Sequence, residues 1–261
     1  MAPGPGAQQR PPQAAQPQAP QPQGQPPAQA QQQAPAPAKP YKPIAVSIPA
    51  PPNDPSFDAF RKQLGEVAQK RDRAALAKLV VAKDFFWEGE SGDKADKKKS
   101  ALDNLGTALG GFTGANAGGW ETLEAAANEP SMESYGDKKN VMCSPAAPQF
   151  DEQAFEAVAK DTGTEVDEWA FPTANGVDVR ASAQPNAPVI EKLGMNLVRV
   201  LPDQPSTSGA AADATPAVRV VTPSGKTGFV SADTVAALIS DQLCYLKDAT
   251  GWKITGYIGG D

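Results

Sequence analysis

Residues 175–201, NGVDVRASAQPNAPVIEKLGMNLVRVL, and residues 217–235, AVRVVTPSGKTGFVSADTV, decide the fold of the C-terminal half. Period-two alternation puts Val177 and Val179 on one face and Asp178 and Arg180 on the other, the pattern of a half-buried strand. The same reading predicts strands over 189–193, 196–201, 218–222 and 227–230. Asn175-Gly176, Gln184-Pro185-Asn186, Leu193-Gly194-Met195-Asn196 and Pro223-Ser224-Gly225-Lys226 supply the turns between them. Five short strands bounded in this way predict a small all-β barrel or sandwich.

Working outward, residues 1–52 are almost wholly Pro, Gln, Ala and Gly, a composition that buries too little apolar surface to offset the entropy of ordering. They are expected to be a disordered tether. Order is predicted to begin at Asn53-Asp54-Pro55, a cap followed by a proline suited to a first helical turn. Phe57, Phe60, Leu64, Val67 and Ala68 then recur at three and four, which predicts an amphipathic helix. Asp72 caps a second, shorter helix carrying Leu76, Leu79 and Val80. Phe85-Phe86-Trp87 reads as a strand, 98–109 and 120–129 as further helices, and Phe150, Phe155 and Val158 as a connecting helix. Residues 243–246 and 252–258 alternate like a hairpin around Asp248-Ala249-Thr250-Gly251.

The expected class is therefore α+β. An α-rich domain spans 53–142, a connecting helix and linker 143–174, the small barrel 175–240 and a C-terminal hairpin 241–261. In an alternative division, the hairpin completes the α-rich domain and the barrel is inserted between its parts.

Composition excludes several chemistries. The chain has no histidine, so Ser-His-Asp triads, Cys-His dyads and His-ligated zinc are ruled out. A net charge of −6 argues against nucleic acid, because phosphate binding needs clustered Lys and Arg. The one basic run, Lys94 to Lys99, is broken by Asp96 and reads as a solvated loop. No apolar run is long enough to span a bilayer.

Other short matches read as ordinary structure. Gly225-Lys226-Thr227 ends like a phosphate loop, but Val220 stands where a glycine is needed and Thr227 opens a strand. Ser91 and Lys94 share the spacing of a Ser-Lys nucleophile without its partner motifs. Glu165, Asp167 and Glu168 read as solvated charges rather than paired catalytic carboxylates. No catalytic residue, metal ligand or cofactor is assigned, and the chain is not expected to be an enzyme.

Cys143 and Cys244, the only two cysteines, lie 101 positions apart without CxxC spacing. An even count suits a disulfide in an oxidising compartment, with two buried free thiols as the alternative. Cys143 reads as part of a loop leaving the α-rich domain. The expected location is periplasmic or extracellular, with an apolar leader encoded upstream because residues 1–13 contain no apolar core. The alternative is cytoplasmic.

Val179-Arg180, then Ala187-Pro188-Val189-Ile190 with Leu193-Gly194, then Gly225 to Val230 with its Gly228-Phe229-Val230 strand, resemble the bacterial SH3-like family of extracytoplasmic modules. The resemblance covers about a quarter of the chain. It departs from the family at Ala217, where an aromatic is usual, and at Phe229, where the family has Trp. It implies a non-enzymatic cell-wall or peptide-binding module whose partners are peptidoglycan or short peptides. Trp169, Phe171 and Phe229 form the candidate ligand-binding edge, with a plug over apolar strand faces as the alternative.

The helix pair broken by Arg71-Asp72, the aromatic strand and the terminal Gly251-Trp252-Lys253-Ile254-Thr255 strand are also similar, more weakly, to the nuclear-transport-factor-like α+β fold. That likeness implies a small-molecule binding or enzymatic cone with Trp87, Trp120 and Trp252 near its pocket.

Overall fold

The Asp54 carboxylate opens α1 (Pro55–Gln69) by accepting the Ser56 N–H at 2.8 Å, with proline in the first turn as the sequence predicts. The computed structural model describes residues 38–114, 117–136, 138–202 and 216–259. The predicted stripe of α1, from Phe57 to Ala68, is its buried face. α2 (Arg73–Leu79) is capped by Asp72, α3 (Ala101–Ala108) by Ser100, and α4 (Gly119–Asn128) packs along α1. Together these helices cover one face of a sheet through a core that includes Leu64, Leu105, Leu123, Tyr245 and Ile254.

That sheet is six-stranded and mixed, in the order β2-β1-β13-β12-β4-β3. Its strands are β1 (Phe86–Gly89), β2 (Gly92–Asp93), β3 (Glu133–Ser134), β4 (Val141–Ser144), β12 (Gln242–Asp248) and β13 (Gly251–Ile258). β1 runs parallel to β13, and every other neighbour is antiparallel. The region 53–142 thus supplies four helices together with β1, β2, β3 and the start of β4, and the hairpin 242–258 supplies the rest of the sheet. The C-terminal hairpin forms the sheet's centre because Leu243, Tyr245 and Ile254 need the helices' apolar faces to bury them. Cys143 lies within β4, not in a loop, since Val141 and Cys143 alternate toward an apolar face.

One register row, Phe86–Gly256–Cys244–Cys143, crosses four strands of this sheet. A Cβ on Gly256 would run into the Phe86 ring, so the glycine lets that ring lie over the sheet beside the disulfide.

Between β4 and β12 the chain makes α5 (Glu152–Thr162) and then a second sheet, antiparallel throughout, in the order β11-β5-β8-β9-β10-β6-β7. The five predicted strands appear as β6 (Val177–Arg180), β7 (Val189–Leu193), β8 (Val198–Val200), β9 (Ala217–Val221) and β10 (Thr227–Ser231). Two more strands join them, β5 (Trp169–Pro172) and β11 (Val235–Ala237). The expected linker over 143–174 thus contains a strand, all four of whose residues are buried.

The expected tether also ends sooner than residue 52. Its first 37 residues lie outside the described residues, but Tyr41, Ile44 and Val46 are buried against Trp169, Leu197 and Val221. Alternation of Ile44 and Val46 around Ala45 makes this piece a strand-like strap, bridged at Ala45 to Asn196 and at Ser47 to Gln149. Five apolar or aromatic side chains in ten residues suffice for burial even beside a polar low-complexity run.

Candidate functional site

Strand alternation turns Trp169 and Phe171 to the same side of β5, and that side is the core. Trp169 has no exposed surface. Its indole N–H donates to Thr164 Oγ1 at 2.9 Å, and the Tyr41 and Phe155 rings meet it edge-on at 5.2 and 5.6 Å. Phe171 is buried in the same cluster. These two aromatics are a plug holding strap, α5 and sheet together, so they cannot belong to a ligand-binding edge.

Phe229 lies elsewhere. On β10 it pairs across the ladder with Arg180 of β6 and Arg219 of β9, so one row reads Arg180–Phe229–Arg219. All three are half-buried. Arg180 Nη1 donates to the Ala187 carbonyl at 2.8 Å and Nη2 to Asp178 at 3.3 Å, while Arg219 Nε is buried without a partner. The row thus carries an aromatic flanked in register by two arginines, one of them paired with Asp178.

The remaining motif residues shape the ladder. Val179 is fully buried and Val230 nearly so, in one small cluster. A Cβ on Gly228 would clash with Val179 and lie 2.7 Å from the Arg180 carbonyl, so glycine sets the close approach of β10 to β6. Gly225, at φ +83°, closes the β9–β10 turn. Any side chain there would also meet the Ala38 carbonyl at 2.5 Å.

That contact belongs to the strap, which sequence reading missed. Backbone hydrogen bonds run from Ala38 N to Gly225 O (2.8 Å), from Tyr41 N to Pro223 O (3.0 Å), from Val46 N to Met195 O (2.9 Å) and from Leu197 N to Ile44 O (2.9 Å). The Tyr41 hydroxyl reaches the Val221 carbonyl at 2.9 Å and the Leu197 carbonyl at 3.2 Å, and accepts the Arg199 N–H at 3.3 Å. Burial, chiefly, pushes its ionisation well above the ordinary tyrosine range. Beside it runs a groove of about 340 Å³ lined by Tyr41, Pro43, Glu191, Asn196 and Ser224 among others. The available signal was the Pro40-Tyr41-Lys42-Pro43-Ile44 run, whose bulky residues break the Gln/Ala/Pro pattern.

In the six-stranded body the three tryptophans do not converge. Trp120 is buried with its N–H on the Phe112 carbonyl (3.0 Å), Trp87 donates to the Gly259 carbonyl (2.9 Å), and Trp252 donates to Ser56 Oγ (3.2 Å) with its ring edge-on to Phe57. Each pins a different junction.

The other short motifs take structural positions. Ser91 sits in the β1–β2 turn, Glu165 and Glu168 form a reciprocal cap on one 3₁₀ turn, and Thr222 N–H donates to the Lys226 carbonyl across the β9–β10 turn. Among the described residues no group of three Cys, Asp or Glu side chains is placed to hold a metal ion, and no helix is long and apolar enough to cross a membrane. Comparison with protein-family models, with curated proteins and with solved structures finds no match.

Proposed function

We propose that the chain is a non-enzymatic, extracytoplasmic module protein whose second sheet is an SH3-like barrel that binds extended peptides, those of the cell wall among them. One observation carries this reading: the β7–β8 and β9–β10 connections of the sheet already hold an extended segment of its own chain, residues 38–47, by main-chain hydrogen bonds to Met195, Leu197, Pro223 and Gly225. A surface that pairs with extended backbone and anchors alternate side chains uses the physics by which sheet edges recognise peptides. The Arg180–Phe229–Arg219 row adds cationic and aromatic groups suited to the carboxylates of such peptides. The Cys143–Cys244 disulfide fits an oxidising compartment. The shared sheet of β1 and the C-terminal hairpin supports the weaker nuclear-transport-factor-like likeness for the first body, with the barrel inserted.

The test is co-sedimentation with purified cell-wall sacculi. Retention above that of an unrelated protein of similar charge is expected, and it should weaken when Arg180 and Arg219 are both changed to Gln. Sedimentation equal to the control would remove wall binding from this reading.

A further inference from the structure

A second register row crosses the first sheet next to the disulfide row: Tyr257 on β13, Leu243 on β12 and Ser144 on β4 lie side by side. Leu243 and Tyr257 belong to the core beneath the helices, so this row faces them. The end of α3 and one side of α4 do not close fully over it, leaving a cleft of about 500 Å³. That volume lies within the range of small-molecule sites, about 300–1,000 Å³.

The walls are mostly hydrocarbon: Leu109, Ala125, Ala126, Pro145 and Leu243. Besides the exposed Thr122, three polar features interrupt them. Ser144 is 2% exposed, and its hydroxyl is buried with no hydrogen-bond partner, which is costly unless something in the cleft meets it. Glu129 lines the cleft, its Oε1 fixed by the Ser131 N–H (2.7 Å) and hydroxyl (2.5 Å). Asp241 lines it too and accepts a short hydrogen bond from the Tyr257 hydroxyl, while Gly259 packs so closely against the carboxylate that no side chain would fit there. Burial, then the Asp241 carboxylate, keep the Tyr257 hydroxyl protonated well above the ordinary range.

No lysine or arginine lines the cleft. An anionic ligand would meet two carboxylates with no compensating charge, and a pure hydrocarbon would leave the Ser144 hydroxyl unmet. From this the geometry points to a binding site for a small organic ammonium compound: the hydrocarbon body lies between α4 and Leu243, and the ammonium group is met by Glu129 and Ser144. The inference is independent of peptide binding by the second sheet, so failure of sacculus retention leaves it untouched.

The test is calorimetric titration of the full, disulfide-bonded chain with three probes of one shape: 2-phenylethylamine, 2-phenylethanol and 3-phenylpropionate. Saturable binding of the amine is expected, with the alcohol about tenfold weaker and the acid weaker still. Glu129→Gln should bring the amine down to the alcohol's affinity. Ala125→Trp, made at an exposed helix position that lines the cleft, should abolish binding of the amine while circular dichroism stays unchanged. The proposal is overturned by no saturable heat from the amine up to about 10 mM, by an acid that binds as tightly as the amine, or by undiminished amine binding in the Ala125→Trp protein. If Glu129→Gln does not fold, the probe series and Ala125→Trp decide.

Discussion

Cys143 and Cys244 sit directly opposite each other on neighbouring strands β4 and β12, their Cα atoms 4.0 Å apart, although they lie 101 positions apart in sequence and the whole second sheet runs between them. The bond closes the neck of that excursion. In the unfolded chain it removes the entropy of a loop this long, which the chain-entropy model sets at about 4 to 5 kcal/mol. Reduction should therefore lower the melting temperature. The Cys143→Ala/Cys244→Ala protein should melt at the reduced value and be insensitive to reductant. An oxidised and a fully reduced protein melting together would contradict this.

Much of this architecture is legible in local pattern. The α1 stripe, its Asp54 cap and the five alternating strands depend on neighbours within a few residues, and each appears where the sequence puts it. What escapes is decided by remote partners. Val141 to Ser144 is too short to read as a strand and becomes one because Cys244 and Leu246 flank it. Trp169 and Phe171 read locally as an edge or as a plug over strand faces, and Tyr41 and Phe155, 128 and 14 residues upstream of Trp169 in a chain of 261, make them core. The Glu129–Ser144 cleft draws on α3, α4, β4, β12 and β13, none of which is close to all the others in sequence.

The strap's anchor gives a sharp substitution. Tyr41 is buried, and its hydroxyl meets the Leu197 and Val221 carbonyls and the Arg199 N–H. Tyr41→Phe keeps the ring against Trp169 and leaves those groups short of a partner, so it should cost about 1 to 3 kcal/mol in urea unfolding. Tyr41→Ala should cost more, about 3 to 5 kcal/mol, because it also empties the site. Equal stability of the Phe variant and the parent would show that the hydroxyl contributes nothing to holding the strap.

Gly228→Ala tests the approach of β10 to β6. The added methyl would overlap Val179 and press on the Arg180 carbonyl, which is backbone and cannot swing aside. A loss of about 1 to 3 kcal/mol is expected. Backbone amide exchange should rise in β6 and β10 while the six-stranded sheet keeps its protection. A uniform change over both sheets would mean that the two unfold as one unit.

Acid stability should depend on Asp54. The Ser56 hydroxyl first, then the Lys247 ammonium, hold this carboxyl well below the usual carboxylate range. A carboxyl held low in the folded state contributes stability above its unfolded value, about 4, and loses it as pH falls further. Asp54→Asn retains a cap acceptor but removes the titration. Its melting temperature should fall less steeply than the parent's below about pH 4. Parallel acid limbs for the two proteins would remove Asp54 from the account.

At the alkaline end the informative residue is Tyr245, fully buried between α1 and the sheet, with Phe57 and Phe60 edge-on to its ring and no partner for its hydroxyl. Burial raises its ionisation far above the ordinary tyrosine value. A group held high by burial leaves stability unchanged with pH below its unfolded value, about 10, and stability falls as pH climbs past it because the folded site cannot accept the charge. The same hydroxyl, buried without a partner, already costs stability at neutral pH. Tyr245→Phe removes that unpartnered oxygen while keeping the ring, so it should raise stability at pH 7 by about 1 kcal/mol. The variant should also unfold less steeply above about pH 10, leaving Tyr41 and Tyr257 to account for the remaining slope. Urea titrations of parent and variant at neutral and alkaline pH check both effects, and a variant less stable than the parent at pH 7 would mean that the hydroxyl has a partner in solution.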